Sequence, residues 1–429
     1  LNLARERFPE LKELDLPPRG GLNEIRSLRF QSRRISTVDY SPAEDEVSKV
    51  VKEVLKNYPT STLPVWLEQQ RLPTRSEVRD YFPHISRTAS PGLPWAEFKQ
   101  TKGELLDDQS DLVIDMVLCR LKILMSIDLI EDDARVLLRS FMMDPIRLFI
   151  KDEPHSAEKI ANQRYRLISS CSIVDEIIFG MICVGQNTQE ISFNPFIPSK
   201  CGMGLITEEQ TDQLFAYAEP WLDKATSSDV RGWDWSMKPW MFHLVVKTQI
   251  ALTKGQSNPF YTRLINNITH CLTHSMFVTS CGRMFVLRAK GIMKSGFPIT
   301  ASWNSRVRYM CTVLAGSTAA MTMGDDCNEA TDLTPEEFVT KYASLGLTVT
   351  GVLPADGQSF SFCSHTFTKK MCVPENPWKT YFNFLNNSPD DPTFLQAFKL
   401  GMRNHPRLNE FIEAHKEFVA VVKSKVGGD

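Results

Sequence analysis

No run of this sequence reaches the roughly 18 consecutive apolar residues that a membrane-spanning helix requires, and no charged leader with an apolar core opens it. Membrane contact is therefore expected to be peripheral or through partners. An excess of either charge is missing as well: 49 basic residues face 51 acidic ones, so a nucleic-acid-binding surface has to come from local clustering. The ten cysteines follow no regular framework. Cys363, His365 and Cys372 lack a second pair at zinc-ligand spacing, and reduced thiols are the simpler expectation. Internal repeats and low-complexity tracts are absent too, which argues against solenoids and disordered arrays. The first residue is Leu1 rather than Met, as expected of a piece released from a polyprotein or of a trimmed chain.

What is there folds. Of 429 residues, 42% are hydrophobic and 23% charged, a globular profile, and at this length two or three subdomains are expected rather than one core. From Leu1 to about Arg87, charged helical patterns and Pro17-Pro18-Arg19-Gly20-Gly21 read as an extended arm followed by the first helices. Apolar residues fall at helical spacing from Asp111 to Asp128 and from Asp132 to Met143, where Asp144-Pro145 stops the pattern. Trp240 to Thr253 and Ile299 to Leu314 read as helices, and Ala319 to Ala330 as strand, turn, strand. Thr334-Pro335-Glu336-Glu337 is a capping box with Pro at the first helical position. Its helix closes at Gly346, and Leu347 to Val352 reads as a strand. The order implies an α+β fold, an antiparallel sheet backed by helices.

Three short segments carry chemistry. In Met323-Gly324-Asp325-Asp326, Gly324 permits a tight turn that presents two carboxylates at a hairpin tip. Taken alone, adjacent acids after Gly are common in surface turns. In Asp229-Val230-Arg231-Gly232-Trp233-Asp234 two acids stand five apart at the junction of a β-like run and a helix. Alone, this is equally a helix N-cap with an exposed acid. Mg²⁺ takes one or two carboxylates plus substrate phosphates, so Asp229 facing Asp325 makes a suitable pair, whereas metal-free acids so placed repel or take up protons. The third segment, Lys294-Ser295-Gly296-Phe297-Pro298-Ile299-Thr300, runs into a helix on which Thr300 and Asn304 share a face. There an amide can hydrogen-bond a ribose hydroxyl or orient Asp234.

In this order, DVRGWDWS at 229–236, SGFPITASWN at 295–304 and MGDD at 323–326 resemble motifs A, B and C of viral RNA polymerases. The chain is similar to the RNA-dependent RNA polymerases of sobemovirus-, barnavirus- and luteovirus-like positive-strand RNA viruses. Flanking segments extend the likeness from Thr88 to Phe367. Ser90-Pro91-Gly92-Leu93-Pro94 looks like the template-strand motif G. Lys151-Asp152-Glu153-Pro154-His155, continuing to Arg164-Tyr165-Arg166-Leu167-Ile168, looks like motif F. Phe362-Cys363-Ser364-His365-Thr366-Phe367 looks like motif E.

The resemblance implies a right-hand polymerase of fingers, palm and thumb. Residues 1–87 would form an N-terminal extension and fingers, 88–222 fingers, 223–236 palm, 237–290 a palm and fingers insertion, 291–373 palm, and 374–429 a short thumb. It implies that Asp229, Asp325 and Asp326 bind two Mg²⁺ or Mn²⁺ ions and catalyse two-metal nucleotidyl transfer. Asp234, Ser295, Gly296, Thr300 and Asn304 would select the ribonucleotide. Lys151, Lys159, Arg164 and Arg166 would hold the triphosphate, with Arg164 and Arg166 alternating on one side of a β-like segment. Ser90 and Gly92 would meet the template, and Phe362, Cys363 and Ser364 the nascent strand. The implied partners are RNA template and nascent RNA, ribonucleoside triphosphates, a genome-linked primer protein and other viral replication proteins. The implied setting is host cytoplasm, in membrane-associated replication complexes. One departure stands out: the lysine expected in motif D as proton donor to pyrophosphate is missing from Thr348-Val349-Thr350 and from Pro354 to Gln358, leaving Lys341, Lys369 and Lys370 as substitutes. The alternatives are a reverse transcriptase, against which the 295–304 block and Gly324 stand, and a non-catalytic RNA-binding replication scaffold, against which all four aspartates stand.

Overall fold

The computed structural model of the chain describes residues 1–126, 128 and 133–427. A short helix, Asn2–Arg7, leads to β1 (Leu14–Asp15), and the Gly21–Ser32 helix follows. After the long Lys102–Ser126 helix come β2 (Ile146–Ile150), β3 (His155–Ser156), β4 (Leu167–Ser170) and the Ile173–Ser192 helix. β5 (Ala225–Val230) precedes the Pro239–Leu252 and Pro259–Thr273 helices, then β6 (Met276–Val278) and β7 (Met284–Val286). The Thr300–Leu314 helix, β8 (Ala319–Met323), β9 (Asp326–Ala330), the Pro335–Ser344 helix and β10 (Val349–Pro354) follow in turn. β11 (Phe360–Phe362), β12 (His365–Phe367) and β13 (Cys372–Pro374) lead into three helices, Pro377–Asn386, Pro392–Gly401 and Leu408–Val426.

The central sheet runs β10-β5-β9-β8, with every pairing antiparallel. Its register brings the acids together. Ser228 pairs with Cys327 and Met323 with Asp326, so Asp229 at the end of β5 stands level with Asp326 at the start of β9. Behind β8 lies the Thr300–Leu314 helix, on which every residue from Ser302 to Leu314 is buried. A helix buried all round needs partners for its polar groups. Arg306 donates to Glu190 at 2.7 Å and to Gln249 at 2.8 Å, all three wholly buried or nearly so. A second sheet, β4-β2-β6-β7, joins β2 and β6 in parallel and β2 and β4 antiparallel. β11-β12-β13 forms a third.

The expected elements fall near their places, with differences that have local causes. The helix expected over 111–128 begins earlier, at Lys102, and bends at Gln109, where φ is −131° and ψ 32°. The helix expected over 132–143 is only Ala134–Arg139; Phe141 takes φ +66°, which an α-helix does not tolerate, and position 132 lies outside the described residues. The strand expected over 347–352 is Val349–Pro354, because Gly346 at φ +88° is followed by a two-residue turn exit before pairing with β5 begins.

The first residues share a core with the last three helices. Ala4, Phe8, Leu11 and Leu14 are buried against Tyr381, Phe382, Phe398, Met402 and Phe411. Phe8 contacts the rings of Trp378, Tyr381 and Phe411 at centroid distances of 5.8, 5.7 and 5.4 Å, and Arg7 pairs with Glu417. At its other end this arm adds β1 to β3, Leu14 opposite Ser156 and Asp15 opposite His155. It therefore ties the C-terminal helices to the basic 151–166 segment. Phe8→Ala leaves a cavity in a small aromatic core and is expected to cost about 3–5 kcal/mol, read as a lowered urea midpoint; an unchanged midpoint contradicts this packing.

Candidate active site

β8, Gly324-Asp325 and β9 make the hairpin, with Gly324 at φ +61°. The Gly324 N–H donates to Ser305 Oγ at 2.8 Å, and the Thr322 hydroxyl donates to the Ser305 carbonyl at 2.8 Å. The carboxyls of Asp229 and Asp325 come within hydrogen-bonding reach of each other. Burial, then the Asp229 charge and that hydrogen bond, then Asp326, hold the Asp325 carboxyl well above the ordinary carboxylate range. Burial and Asp229 push Asp326 up to about 7, against the pull of the Cys363 N–H and Arg308. Asp229 itself is exposed, so the group is open to solvent on its side.

This donor chemistry fits a divalent cation. Hard oxygen ligands crowded enough to resist ionisation are what a cation would neutralise. The fit is of a carboxylate pair rather than of a closed cage. Among the described residues no three His, Cys, Asp or Glu side chains are already gathered around one point, and the Asp326 carboxylate is turned to accept the Cys363 N–H at 3.0 Å. Mg²⁺ asks no more of protein than one or two carboxylates when phosphates and water supply the rest.

Cys363 and Ser364 form the two-residue connection of β11 and β12, at φ +50° and +58°. Both positions of such hairpin turns need positive φ, which suits Asn or Gly and costs other residues about 1–3 kcal/mol. The strained turn aims its first N–H at Asp326. Phe362 is wholly buried beneath it, and His365 Nδ1 bonds the Cys363 carbonyl at 2.7 Å.

Asp234 and Asn304 do meet: Asn304 Nδ2 donates to Asp234 Oδ1 at 3.1 Å. Burial pushes the Asp234 carboxyl up to about 6, with Asn304 and Arg166 pulling the other way. The remaining oxygen of Asn304 is buried and meets no donor among the described residues. Ser295 and Gly296 sit against β4 instead. Ser295 Oγ accepts the Ser169 N–H at 3.0 Å, and a Cβ on Gly296 would lie 2.1 Å from the Ser169 carbonyl, so only glycine allows this approach. Thr300 Oγ1 caps the Lys294 carbonyl at 2.8 Å and does not reach Asp234. Ser90 and Gly92 are farther along the same wall, where Ser90 Oγ accepts the Gly92 N–H and Pro91 O accepts the Ile173 N–H.

The basic segment is extended rather than a strand at Arg164 and Arg166, because β4 begins only at Leu167. Tyr165 between them is buried, which leaves both guanidinium groups on the other side. His155 holds the fold of this segment. Its Nε2 accepts the Arg166 N–H at 3.0 Å and its Nδ1 bonds the Glu153 carbonyl at 2.7 Å, which places the proton on Nδ1. The cations pair locally: Lys151 and Arg166 with Glu153 at 3.0 and 2.7 Å, Arg164 with Glu158 at 3.2 Å. Lys159 is exposed at its surface, and desolvation, then nearby Lys379 and Arg166, lowers its pKa.

Three arginines that sequence reasoning passed over, Arg33, Arg34 and Arg231, join them. A cleft of about 560 Å³ is lined by Phe30, Arg33, Arg34, Arg164, Arg231 and Gly346, among others. Burial and the charges of Arg164 and Arg231 lower the pKa of Arg34, and the Nε atoms of Arg34 and Arg164 are buried with no acceptor among the described residues. Repelling cations with unused donors suit a polyanion. The signal for Arg231 was its place two residues beyond Asp229, just past the end of β5. The motif D substitutes lie elsewhere. Lys369 pairs with Glu219 at 3.5 Å, Lys370 sits in the β12–β13 turn and Lys341 is exposed; none of the three lines this cleft.

Residues 22–374 match the family described as "Viral RNA-directed RNA-polymerase". The "Replicase polyprotein P2AB" of Cocksfoot mottle virus is 33% identical across 90% of this chain and 42% of its own length. "Protein P1-P2" of Pea enation mosaic virus-1 is 31% identical across 96% of the chain and 36% of itself, and the "Replicase polyprotein P2AB" of Southern cowpea mosaic virus is 32% identical across 89% and 41%. The chain thus spans about two fifths of the length of these curated relatives.

The crowded carboxylates make the metal-free molecule a test of its own geometry. Above about pH 8, where Asp325 carries its charge, Asp325→Asn removes one like charge, and relief of about 1 kcal/mol raises the metal-free melting temperature by about 1–3 °C in a chain of this size. Millimolar Mg²⁺ or Mn²⁺ is expected to raise the melting temperature of the wild type but not of D325N. Equal shifts in both proteins contradict binding at this pair.

Proposed function

The chain belongs to the viral RNA-directed RNA polymerase family, and on that premise we propose that it copies an RNA template into RNA by joining ribonucleoside triphosphates to a growing 3′ end. The observation that carries the reading is the meeting of Asp229 and Asp325, 96 residues apart in sequence, with Arg231, two residues beyond Asp229, lining a cleft together with Arg34 and Arg164. In the hand-like division this suggests, the central sheet is the palm, the wall of β2, β4 and the 151–166 segment belongs to the fingers, and the last three helices with the N-terminal arm form the thumb. The thumb is then larger than residues 374–429 alone.

Asp229 and Asp325 would hold two Mg²⁺ or Mn²⁺ ions, with Asp326 assisting. When bound, such ions lower the pKa of the attacking 3′-hydroxyl, orient it on the α-phosphorus and stabilise the departing pyrophosphate. Arg164, Arg166, Lys151 and Lys159 hold the triphosphate, exchanging their bonds to Glu153 and Glu158 for phosphate oxygens. Arg34 and Arg231 add charge at the turn where motif D would supply a lysine. A guanidinium neutralises phosphate but does not give up a proton, so these two stabilise the leaving group without protonating it. Asp234, held by Asn304, accepts the ribose hydroxyl. Ser90 and Gly92 line the template path, and the Phe362–Ser364 hairpin supports the nascent strand. Among the described residues no helix is long and apolar enough to cross a membrane, and we assign attachment to replication membranes in the host cytoplasm, and any protein-linked primer, to partners of the whole protein.

Two outcomes follow. Asp325→Asn is expected to abolish primer extension with Mg²⁺ while leaving RNA binding within about twofold, since the mutated group touches no RNA phosphate; normal extension by D325N refutes the metal assignment. Asp234 takes up a proton as pH falls through about 6 and then loses its charge, and with it the stronger charge-assisted bond to the ribose hydroxyl. The ratio of kcat/KM for ribo- over deoxyribonucleotide, about 10²–10⁴ at pH 8, is expected to fall between pH 7 and pH 5. Asp234→Asn is expected to show a low ratio that does not change with pH. A wild-type ratio flat across this range removes Asp234 from sugar selection.

A further inference from the structure

One side of the Thr300–Leu314 helix meets the acidic turn from beneath. Ser305 takes the Gly324 N–H, as described, and Arg308, three residues on and one turn further along the same side, is wholly buried. Its guanidinium reaches three separate elements. Nε donates to the backbone carbonyl of Asp325 at 3.0 Å, Nη2 to the hydroxyl of Ser228 at 2.7 Å and Nη1 to the hydroxyl of Tyr342 at 2.8 Å. The Tyr342 hydroxyl in turn reaches both Glu329 carboxylate oxygens at 2.8 Å, and Glu329 Oε1 stands 4.0 Å from Nη2. Asp325 is the residue of the turn, Ser228 immediately precedes Asp229 on β5, and Tyr342 lies on the Pro335–Ser344 helix.

Burying a paired charge this deeply yields no clear gain in stability over a hydrophobic residue of similar size. What the guanidinium adds is geometry: five donors in a rigid planar fork fix the distances between the groups that accept them. We infer that Arg308 is a positioning residue for nucleotidyl transfer, setting the separation of the Asp229 and Asp325 carboxyls by tying the Asp325 backbone carbonyl to the side chain of Ser228, the neighbour of Asp229 on β5. The inference rests on the polymerase reading above. Its consequence is specific to the metal. Mg²⁺ demands near-ideal octahedral geometry, whereas the larger Mn²⁺ accepts misplaced oxygens more readily. A slackened carboxylate pair therefore fails first with Mg²⁺.

The test is Arg308→Lys in the whole chain, with Ser228→Ala, which deletes only the hydroxyl that Nη2 reaches. Single-nucleotide incorporation on a primed RNA template is measured with Mg²⁺ and with Mn²⁺. R308K is expected to lose about 10²-fold in kcat with Mg²⁺, the effect of a shift of about 1 Å, with the nucleotide KM within about twofold, and to lose under about tenfold with Mn²⁺. S228A is expected to move the same way, by about tenfold with Mg²⁺. Wild-type kcat in both variants overturns the inference, and so does an equal loss with the two ions, which is what a residue that only supports the core would give. If R308K does not fold, the Mg²⁺ to Mn²⁺ ratio of S228A decides alone. A wild-type chain inactive with both ions overturns the polymerase reading and the inference with it; an active wild type with unaltered variants overturns the inference alone.

Discussion

The site depends on forcing like charges together, two of them, Asp325 and Asp326, partly withdrawn from solvent. Asp229, Asp325 and Asp326 gain nothing from one another, and no side chain among them provides an attraction that would hold them in place. The backbone has to do it. Antiparallel pairing of β5 with β9 puts Asp229 level with Asp326, and the hairpin turn swings Asp325 toward Asp229. Beneath the turn, Ser305 and Arg308 hold Gly324 and Asp325 by their main-chain groups. From the side, the Cys363 N–H holds the Asp326 carboxylate. A charge-assisted bond of that kind stabilises by about 1.5–3 kcal/mol, enough to offset the positive φ of Cys363.

The opposite charge is arranged with equal care but from distant parts of the chain. Arg164 belongs to the segment that β3 and β4 frame, Arg231 to the exit of β5, and Arg34 to the stretch after the Gly21–Ser32 helix. They crowd because each is set on an element with its own reasons for lying there. Arg34 lies over Gly232, where a Cβ would come within 2.5 Å of its Cδ, and Arg164 shares the Phe30 ring with it at 5.3 Å against 5.2 Å. The N-terminal arm closes the frame by pairing with β3 at one end and entering the aromatic core of the last helices at the other.

Much of this was legible from residue order. Asp229, Asp234, Asn304 and Asp325 stand in local patterns whose meaning is chemical, and the capping box at Thr334 and the strand, turn, strand at 319–330 appear as read. What escaped was whatever depends on contact between segments far apart. Arg308 reads as an ordinary helix residue, since nothing near it in sequence reveals that three elements converge on it. Arg34 stands in a charged stretch that looks solvated. Phe8 and Leu11 read as an arm because their partners, Tyr381 and Phe411, lie some 370 to 400 residues away. The Cys363 turn was read as a strand-supporting segment, but positive φ at Cys and Ser has no signature in composition, so its N–H on Asp326 was invisible.

The central claim, that the carboxylate pair of Asp229 and Asp325 exists to hold divalent cations against a nucleotide's phosphates, is tested most directly by anomalous diffraction. Crystals of the whole chain soaked with Mn²⁺ and a ribonucleoside triphosphate are measured at the manganese edge. Anomalous peaks between the Asp229 and Asp325 carboxylates, with the triphosphate lying toward Arg164 and Arg231, are predicted. A bound nucleotide with no anomalous density at that pair contradicts the account.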